Sequence, residues 1–124
     1  MKKILSQKVP VPGGHYSQAT VHNKTIYVSG LLPVVLGSPP DPTMSFEDQV
    51  QLVLNHLGEI LLEAGSDRAM VLKVSIFISD IDNWPKVDQI YKSFFGDHKP
   101  ARIVVPVKDL HFGLGIELDA IAAI

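Results

Sequence analysis

The sequence predicts an α+β fold in which two helices pack on one face of a β-sheet. Two segments repeat apolar residues with the period of an α-helix, whereas the other apolar segments are short and typical of strands. The expected order is strand, strand, strand, helix, strand, helix, strand, strand. Two helices are too few to cover both faces of the sheet, so self-association is the simplest way to bury the second face.

Length and composition indicate one folded domain over residues 1–124. Hydrophobic residues make up 46% of the chain and charged residues 19%, as in globular proteins. The net charge of -2 argues against broad binding to nucleic-acid backbones, which depends on a basic surface. The absence of cysteine excludes disulfides, thiolate catalysis and cysteine-ligated metal sites. Without an apolar signal core or a run long enough to span a membrane, a soluble cytoplasmic protein is expected.

The first part of the chain predicts three strands and a loop. A strand over residues 4–9 is followed by a segment rich in proline and glycine that breaks it. Residues 16–22 and 25–30 are expected to form a hairpin that turns at Asn23-Lys24. Residues 31–42 hold four of the nine prolines and predict an ordered loop without regular structure.

The first helix has clear start and stop signals. Ser45 can cap its N-terminus, and Asp48 three residues later forms a weaker version of a capping box. Gly65 is well placed to end it in the left-handed conformation. The apolar stripe between them consists of Val50, Val53, Leu54, Leu57, Ile60, Leu61 and Ala64.

A strand over residues 71–79 leads to the second helix, which Asp82 or Asn83 is expected to cap and Gly96 to end. The apolar face of the strand consists of Leu72, Val74, Ile76 and Ile78. The apolar face of the helix consists of Trp84, Val87, Ile90, Tyr91, Phe94 and Phe95. Aromatic residues at helical spacing indicate a core contact far more often than a cofactor site.

Two strands, over residues 102–107 and 114–121, complete the chain. Arg102 opens the first, which is otherwise apolar, and Glu117 lies inside the second, two residues before Asp119. Side chains alternate across a strand, so Glu117 points away from the core-facing Ile116 and Leu118. A charge in such surroundings is costly unless it is paired or faces a cleft. Arg102 and Glu117 could therefore form an ion pair across adjacent strands, remain as solvated edge charges, or belong to a site.

Patterns of several common sites are missing from the sequence. The five histidines are scattered without the spacing of a metal site, so no metal is expected. Gly13-Gly14 lacks a phosphate-loop fingerprint, and Gly113-x-Gly115 precedes a strand instead of a helix. Ser17 and Ser29 have no recognisable elbow or triad around them.

Isolated polar residues remain at the ends of the predicted elements: Tyr16, Ser29, Asp88, Arg102 and Glu117. The rigid guanidinium of arginine suits two-point binding of a carboxylate. A glutamate beside a bound carbon centre can orient or deprotonate a water molecule. The residue types alone indicate a site for a small acid.

Five motifs follow one another in the order of a known family. They are Gly14-His15-Tyr16-Ser17-Gln18-Ala19, Val28-Ser29-Gly30-Leu31-Leu32-Pro33, Val87-x-x-Ile90-Tyr91-x-x-Phe94-Phe95, Pro100-Ala101-Arg102 and Ile116-Glu117-Leu118. Together they resemble the Rid family (reactive intermediate deaminases, YjgF-type) over nearly the whole chain. The last two motifs and the spacing between them are the most specific part.

The resemblance implies a chorismate-mutase-like fold of the type found in bacilli, assembled as a homotrimer with sites between subunits. It also implies hydrolysis of enamines and imines, such as 2-aminoacrylate and 2-iminopropanoate, to the 2-oxo acid and ammonia. This activity, that of a hydrolase acting on C–N bonds, uses no cofactor in the family. The alternatives are a non-catalytic binder or sensor of small 2-oxo or amino acids, and an RNA-cleaving or translation-inhibiting protein, which the net charge supports least. Neither a nucleic acid nor a membrane is an expected partner.

The resemblance assigns roles to individual residues. Arg102 would bind the substrate carboxylate through two parallel hydrogen bonds, and Glu117 would hold the attacking water near the imine carbon. Tyr16 would line the cleft, with Ser29 and Gly30 along its wall.

Four residues depart from the family pattern and put the choice of substrate in question. His15 stands where proline is common, Leu31 where glutamine is common, Val104 where many members have cysteine, and Asp88 where several have asparagine. Asp88 could oppose a substrate carboxylate unless Arg102 or a lysine neutralises it, or it could be a solvated helix residue. His15 could exchange a proton near neutral pH and join the site, or be merely solvated.

Overall fold

Six strands form one sheet, and both helices pack on the same face of it. The computed structural model describes residues 1–124. The elements are β1 (Lys2–Ile4), β2 (Ala19–His22), β3 (Thr25–Leu31), α1 (Phe46–Glu63), β4 (Val71–Ile78), α2 (Trp84–Phe95), β5 (Ala101–Pro106) and β6 (Ile116–Ala123). The strand order is β1-β2-β3-β6-β4-β5, and only β4 and β5 pair in parallel. The predicted α+β class and the placement of the helices are confirmed.

Alternation along β6 separates the two faces of the sheet. Ile116, Leu118, Ala120 and Ala122 are buried in the core beneath the helices, and the residues between them are half-buried on the other face. No element of the chain covers that second face. It carries Tyr27, Lys73, Phe77, Glu117 and Asp119.

Local signals in the sequence set the helix ends and the hairpin as predicted. The Ser45 hydroxyl accepts a hydrogen bond from the Asp48 N–H at 3.1 Å. Gly65 follows α1 with a φ of 82°, which glycine adopts without steric cost. Asn23 and Lys24 turn the β2–β3 hairpin with φ values of 50° and 60°. Neither helix is long and apolar enough to cross a membrane.

The first two strands are shorter than predicted, and in the first of them a buried side chain binds backbone groups that a strand would have paired. The Gln18 amide oxygen accepts from the Ser6 N–H at 2.6 Å, and its nitrogen lies 3.2 Å from the carbonyl oxygens of both Ser6 and Pro10. The predicted strand over residues 4–9 is therefore wrong beyond Ile4. The hairpin strand begins at Ala19 instead of residue 16.

Two residues expected in the core lie near the surface. A register shift between Val71 and Lys73 against β6 turns Leu72 outward, where it is 51% exposed. Trp84, at the start of α2, is 39% exposed. Asn83 is the N-cap residue of α2, as one of the two alternatives predicted, although its side chain makes no capping bond.

Candidate active site

Arg102 and Glu117 lie on opposite faces of the sheet. β4 separates their strands, and its residue Val74 is level with Arg102 whereas Phe77 is level with Glu117. Val74 is buried under the helices, and Phe77 points to the uncovered face. With about 3.3 Å per residue and about 4.8 Å per strand, the two Cα atoms are about 14 Å apart. The ion pair considered from the sequence is therefore absent.

Arg102 is instead held by three side chains of α2. Its Nη1 donates to Asp88 Oδ1 at 2.9 Å. The centre of the guanidinium lies 4.8 Å from the ring centroid of Tyr91 and 5.6 Å from that of Trp84. Spacings of three and four residues place these side chains on one helix face. Asp88 is thus the ion-pair partner of Arg102, and Arg102 keeps its other N–H groups for a ligand.

The Tyr91 hydroxyl is a buried polar group beside Arg102 that has no hydrogen-bond partner. Burial raises the pKa of Tyr91 to about 12, and the charge of Arg102 acts in the opposite direction. The hydroxyl is therefore a neutral donor near the guanidinium. Sequence reasoning placed Tyr91 in the core. The only sign of a polar role was that this position of the apolar stripe holds tyrosine instead of phenylalanine.

Glu117 packs directly against the backbone of β3. A Cβ atom built on Gly30 would lie 2.5 Å from Glu117 Oε1, so only glycine leaves room for the carboxylate in this position. The pairing of β3 with β6 shifts between Val28 and Leu31, next to this contact. Burial raises the pKa of Glu117, the negative charge of Asp119 raises it further, and His111 opposes both.

A pocket of about 410 Å³ opens beside Gly30. Tyr16, Ser29, Gly30 and Leu31, four residues predicted for the site, line it together. The rest of the lining comes from residues 9–14, Gln18, Leu32, Val34, His56, His111 and Phe112. The structure therefore groups four predicted residues around one pocket, and Gly30 links that pocket to Glu117, whereas Arg102 and Asp88 lie elsewhere.

Sequence reasoning did not assign the other lining residues to the site, and three of them carry aromatic or imidazole rings. His111 and Phe112 stack with their ring centroids 3.6 Å apart, and Phe112 has a φ of 62°. A bulky residue with positive φ is strained, which is common at functional sites. His56 comes from α1 with its Nε2 2.7 Å from the Val34 carbonyl oxygen. Burial lowers the pKa of His56, which favours the neutral ring.

Other predicted residues lie outside both groups. His15 is exposed and does not line the pocket. Val104 packs against the core on the helix side of the sheet. The Ser29 hydroxyl donates to the Ser17 carbonyl oxygen at 2.6 Å, so it supports the wall of the pocket. No group of three metal-ligating side chains converges in the structure.

Comparison with known proteins places this geometry in a family. Residues 6–124 match the family model described as Endoribonuclease L-PSP. The chain is 37% identical over 121 residues to 2-iminobutanoate/2-iminopropanoate deaminase of Rattus norvegicus, covering 98% of this chain and 88% of that protein. It is 34% identical to Reactive Intermediate Deaminase A of Arabidopsis thaliana, covering 99% and 66%. The crystal structure of E. coli TdcF with bound serine is similar with a TM-score of 0.92 and 29% identity, covering 100% and 99%.

Proposed function

The chain belongs to the Endoribonuclease L-PSP family, the Rid family that its motifs resemble, and we propose that it hydrolyses reactive 2-imino acids and their enamine tautomers. The products are the 2-oxo acid and ammonia. The observation that carries the proposal is the position of Glu117, a half-buried carboxylate packed against Gly30, which itself lines a pocket. Relatives named as deaminases of such intermediates support the same reaction.

Glu117 supplies the proton transfers that the reaction needs. A water oxygen attacks the iminium carbon, and the Glu117 carboxylate accepts the proton that the water loses. The nitrogen of the resulting carbinolamine takes that proton from Glu117. The C–N bond then breaks as the hydroxyl oxygen forms the carbonyl of the 2-oxo acid, and the hydroxyl proton leaves with ammonia as ammonium. Burial raises the pKa of Glu117, and a more basic carboxylate is a better acceptor for the water proton.

Arg102 binds the substrate carboxylate in this proposal. Its Nη1 is engaged with Asp88, and its remaining N–H groups and the Tyr91 hydroxyl are donors for a ligand. Because Arg102 and Glu117 are about 14 Å apart on opposite faces of one chain, one substrate cannot contact both within a subunit. The complete site therefore needs Arg102 of one subunit and Glu117 of its neighbour, in the homotrimer that the family resemblance implies.

A second candidate is a non-catalytic binder of small amino or 2-oxo acids. The structural relative TdcF with bound serine favours it. A binder needs the carboxylate contact of Arg102 but not the proton acceptor Glu117. Cleavage of RNA, to which the family description refers, has less support because the chain has a net charge of -2.

Turnover of 2-iminopropanoate, generated in place by an amino-acid oxidase acting on alanine, tests the proposal. Wild type should release pyruvate and ammonia faster than buffer. Glu117→Gln should lose about 100-fold or more of kcat, because general base catalysis contributes about that much. Glu63→Gln, on the exposed end of α1, is the matched control and should behave as wild type. Binding of pyruvate by a wild type that gives only the buffer rate would instead identify a binder.

A further inference from the structure

We infer that the substrate carries a bulky apolar side chain and that the pocket beside Glu117 receives it. The inference rests on the proposed function and names the class of imino acid. It goes beyond the three-carbon and four-carbon substrates for which the rat relative is named.

The size of the pocket is the first support. Its volume of about 410 Å³ falls within the range of about 300–1,000 Å³ that is typical of pockets for drug-sized ligands. The methyl group of 2-iminopropanoate fills only a small part of it. A branched aliphatic or aromatic side chain is a better match.

The chemistry of the lining is the second support. No lysine, arginine, aspartate or glutamate lines the pocket, and its apolar surface comes from three separate segments of the chain. Val9 and Val11 belong to the N-terminal loop, Leu32 and Val34 follow β3, and Phe112 precedes β6. A charged side chain would lose its hydration there without gaining a partner.

The polar side chains of the lining are mostly committed to the protein itself. The Gln18 amide is bonded to Ser6 and Pro10, and the Ser29 hydroxyl donates to Ser17. His56 Nε2 is bonded to the Val34 carbonyl oxygen. Tyr16 and His111 are the other polar side chains of the lining, and both are exposed. The bonded groups stiffen the wall and leave an apolar interior for a ligand.

The position of the pocket relative to Glu117 is the third support. Gly30 lines the pocket and also adjoins Glu117 Oε1. A substrate whose imine carbon faces Glu117 can therefore extend its side chain past Gly30, where no side chain obstructs it. The carboxylate of the same substrate points away from the pocket, toward Arg102 of the neighbouring subunit.

The test compares imino acids generated in place from leucine, phenylalanine, alanine and glutamate. We expect kcat/KM for the leucine and phenylalanine products to exceed that for the alanine product by about tenfold or more, because each buried methylene can contribute about that factor. The glutamate product should be the poorest substrate. If the alanine product is hydrolysed as fast as the leucine product, the inference is wrong and the proposed function stands.

A substitution in the pocket lining tests whether the pocket causes the preference for large apolar side chains. Val11 is 68% exposed, so Val11→Trp can narrow the pocket without disturbing the core. This substitution should lower the ratio of kcat/KM for the leucine product to that for the alanine product at least about fivefold. Val35 is also exposed but lies outside the lining, so Val35→Trp should keep the wild-type ratio. An unchanged ratio in Val11→Trp would overturn the inference.

Binding separates the failure of this inference from the failure of the function. If no imine is hydrolysed, the proposed function fails, and calorimetry with 4-methyl-2-oxopentanoate and pyruvate then tests the pocket alone. The larger acid should bind at least about tenfold more tightly. Equal affinities would contradict the inference.

Discussion

At the scale of single residues, the contact between Glu117 and Gly30 fixes the position of the proposed proton acceptor. Oε1 occupies the space that any side chain at position 30 would need. The carboxylate ends a flexible side chain, so it can move aside at little cost in stability. A substitution at Gly30 therefore separates the position of the carboxylate from the integrity of the fold.

Gly30→Ala should keep the thermal stability of the wild type within a few degrees and lower kcat by about tenfold or more. The physical reason is displacement of the Glu117 carboxylate from the reacting water. Thermal unfolding and imine turnover measure the two effects. Gly58→Ala is the control, because its added methyl group would lie 3.7 Å from Phe94 in ordinary contact. Unchanged turnover in Gly30→Ala would mean that this position of Glu117 is not the reactive one.

The pH dependence of turnover should report the ionisation of Glu117. Its pKa lies above the ordinary value of 4.5, chiefly because of burial. The carboxylate form is lost as the pH falls, so kcat/KM should begin to decline at a higher pH than for an ordinary glutamate. Asp119→Asn should move the acid limb to lower pH, and His111→Gln should move it to higher pH. If the acid limbs of the pH profiles of wild type and the two variants coincide, the assignment of Glu117 as the proton acceptor is wrong.

In the proposed site, the ion pair with Asp88 lowers the affinity of Arg102 for a substrate carboxylate. The 2.9 Å ion pair neutralises part of the charge that a substrate needs. Asp88→Asn should therefore lower KM about threefold to tenfold with little change in kcat, and stability should change by less than about 1 kcal/mol because Asp88 is nearly half exposed. Steady-state kinetics test this, with the exposed Asp82→Asn as control. A higher KM would show that Asp88 orients Arg102 more than it competes with the substrate.

At the scale of elements, the helices were predictable because their signals are local. The apolar period, the Ser45 cap and the Gly65 terminator all lie within one segment of the sequence. The first strand was mispredicted because Gln18 satisfies backbone groups far from it in sequence, which no periodicity reveals. The bulge that turns Leu72 outward depends in the same way on pairing with β6.

Gln18→Leu should destabilise the fold by about 1–3 kcal/mol, because it leaves buried backbone groups of Ser6 and Pro10 without partners. Chemical denaturation measures the change in the free energy of unfolding. Gln7→Leu changes an exposed glutamine of the same loop and should cost far less. Equal effects of the two substitutions would show that the Gln18 hydrogen bonds contribute little net stability.

The candidate site was predictable only in part for related reasons. Strand alternation correctly turned Glu117 away from the core, but the sequence left open an ion pair between Arg102 and Glu117, which lie on opposite faces of the sheet. The contacts of Arg102 with Tyr91 and of Glu117 with Gly30 join elements distant in sequence, so the pattern could not reveal them. His56 and His111 carry no motif, and only their place in the fold brings them to the pocket.

At the scale of the whole molecule, the uncovered face of the sheet is the surface at which a neighbouring subunit would complete the proposed site. That face carries Glu117 together with Tyr27 and Phe77, and no helix of the same chain shields it. In the proposed homotrimer a neighbouring subunit covers it and brings Arg102 within reach of the substrate. The division of the site between two subunits is the central claim.

Mixing two inactive variants tests this claim most directly. Arg102→Ala and Glu117→Gln should each hydrolyse 2-iminopropanoate near the buffer rate when purified alone. After coexpression in equal amounts, about one quarter of the sites should combine an intact Arg102 with an intact Glu117, so about one quarter of the wild-type rate should return. Mixtures that stay at the buffer rate, although wild type is active and subunits are shown to exchange, would contradict a site shared between subunits.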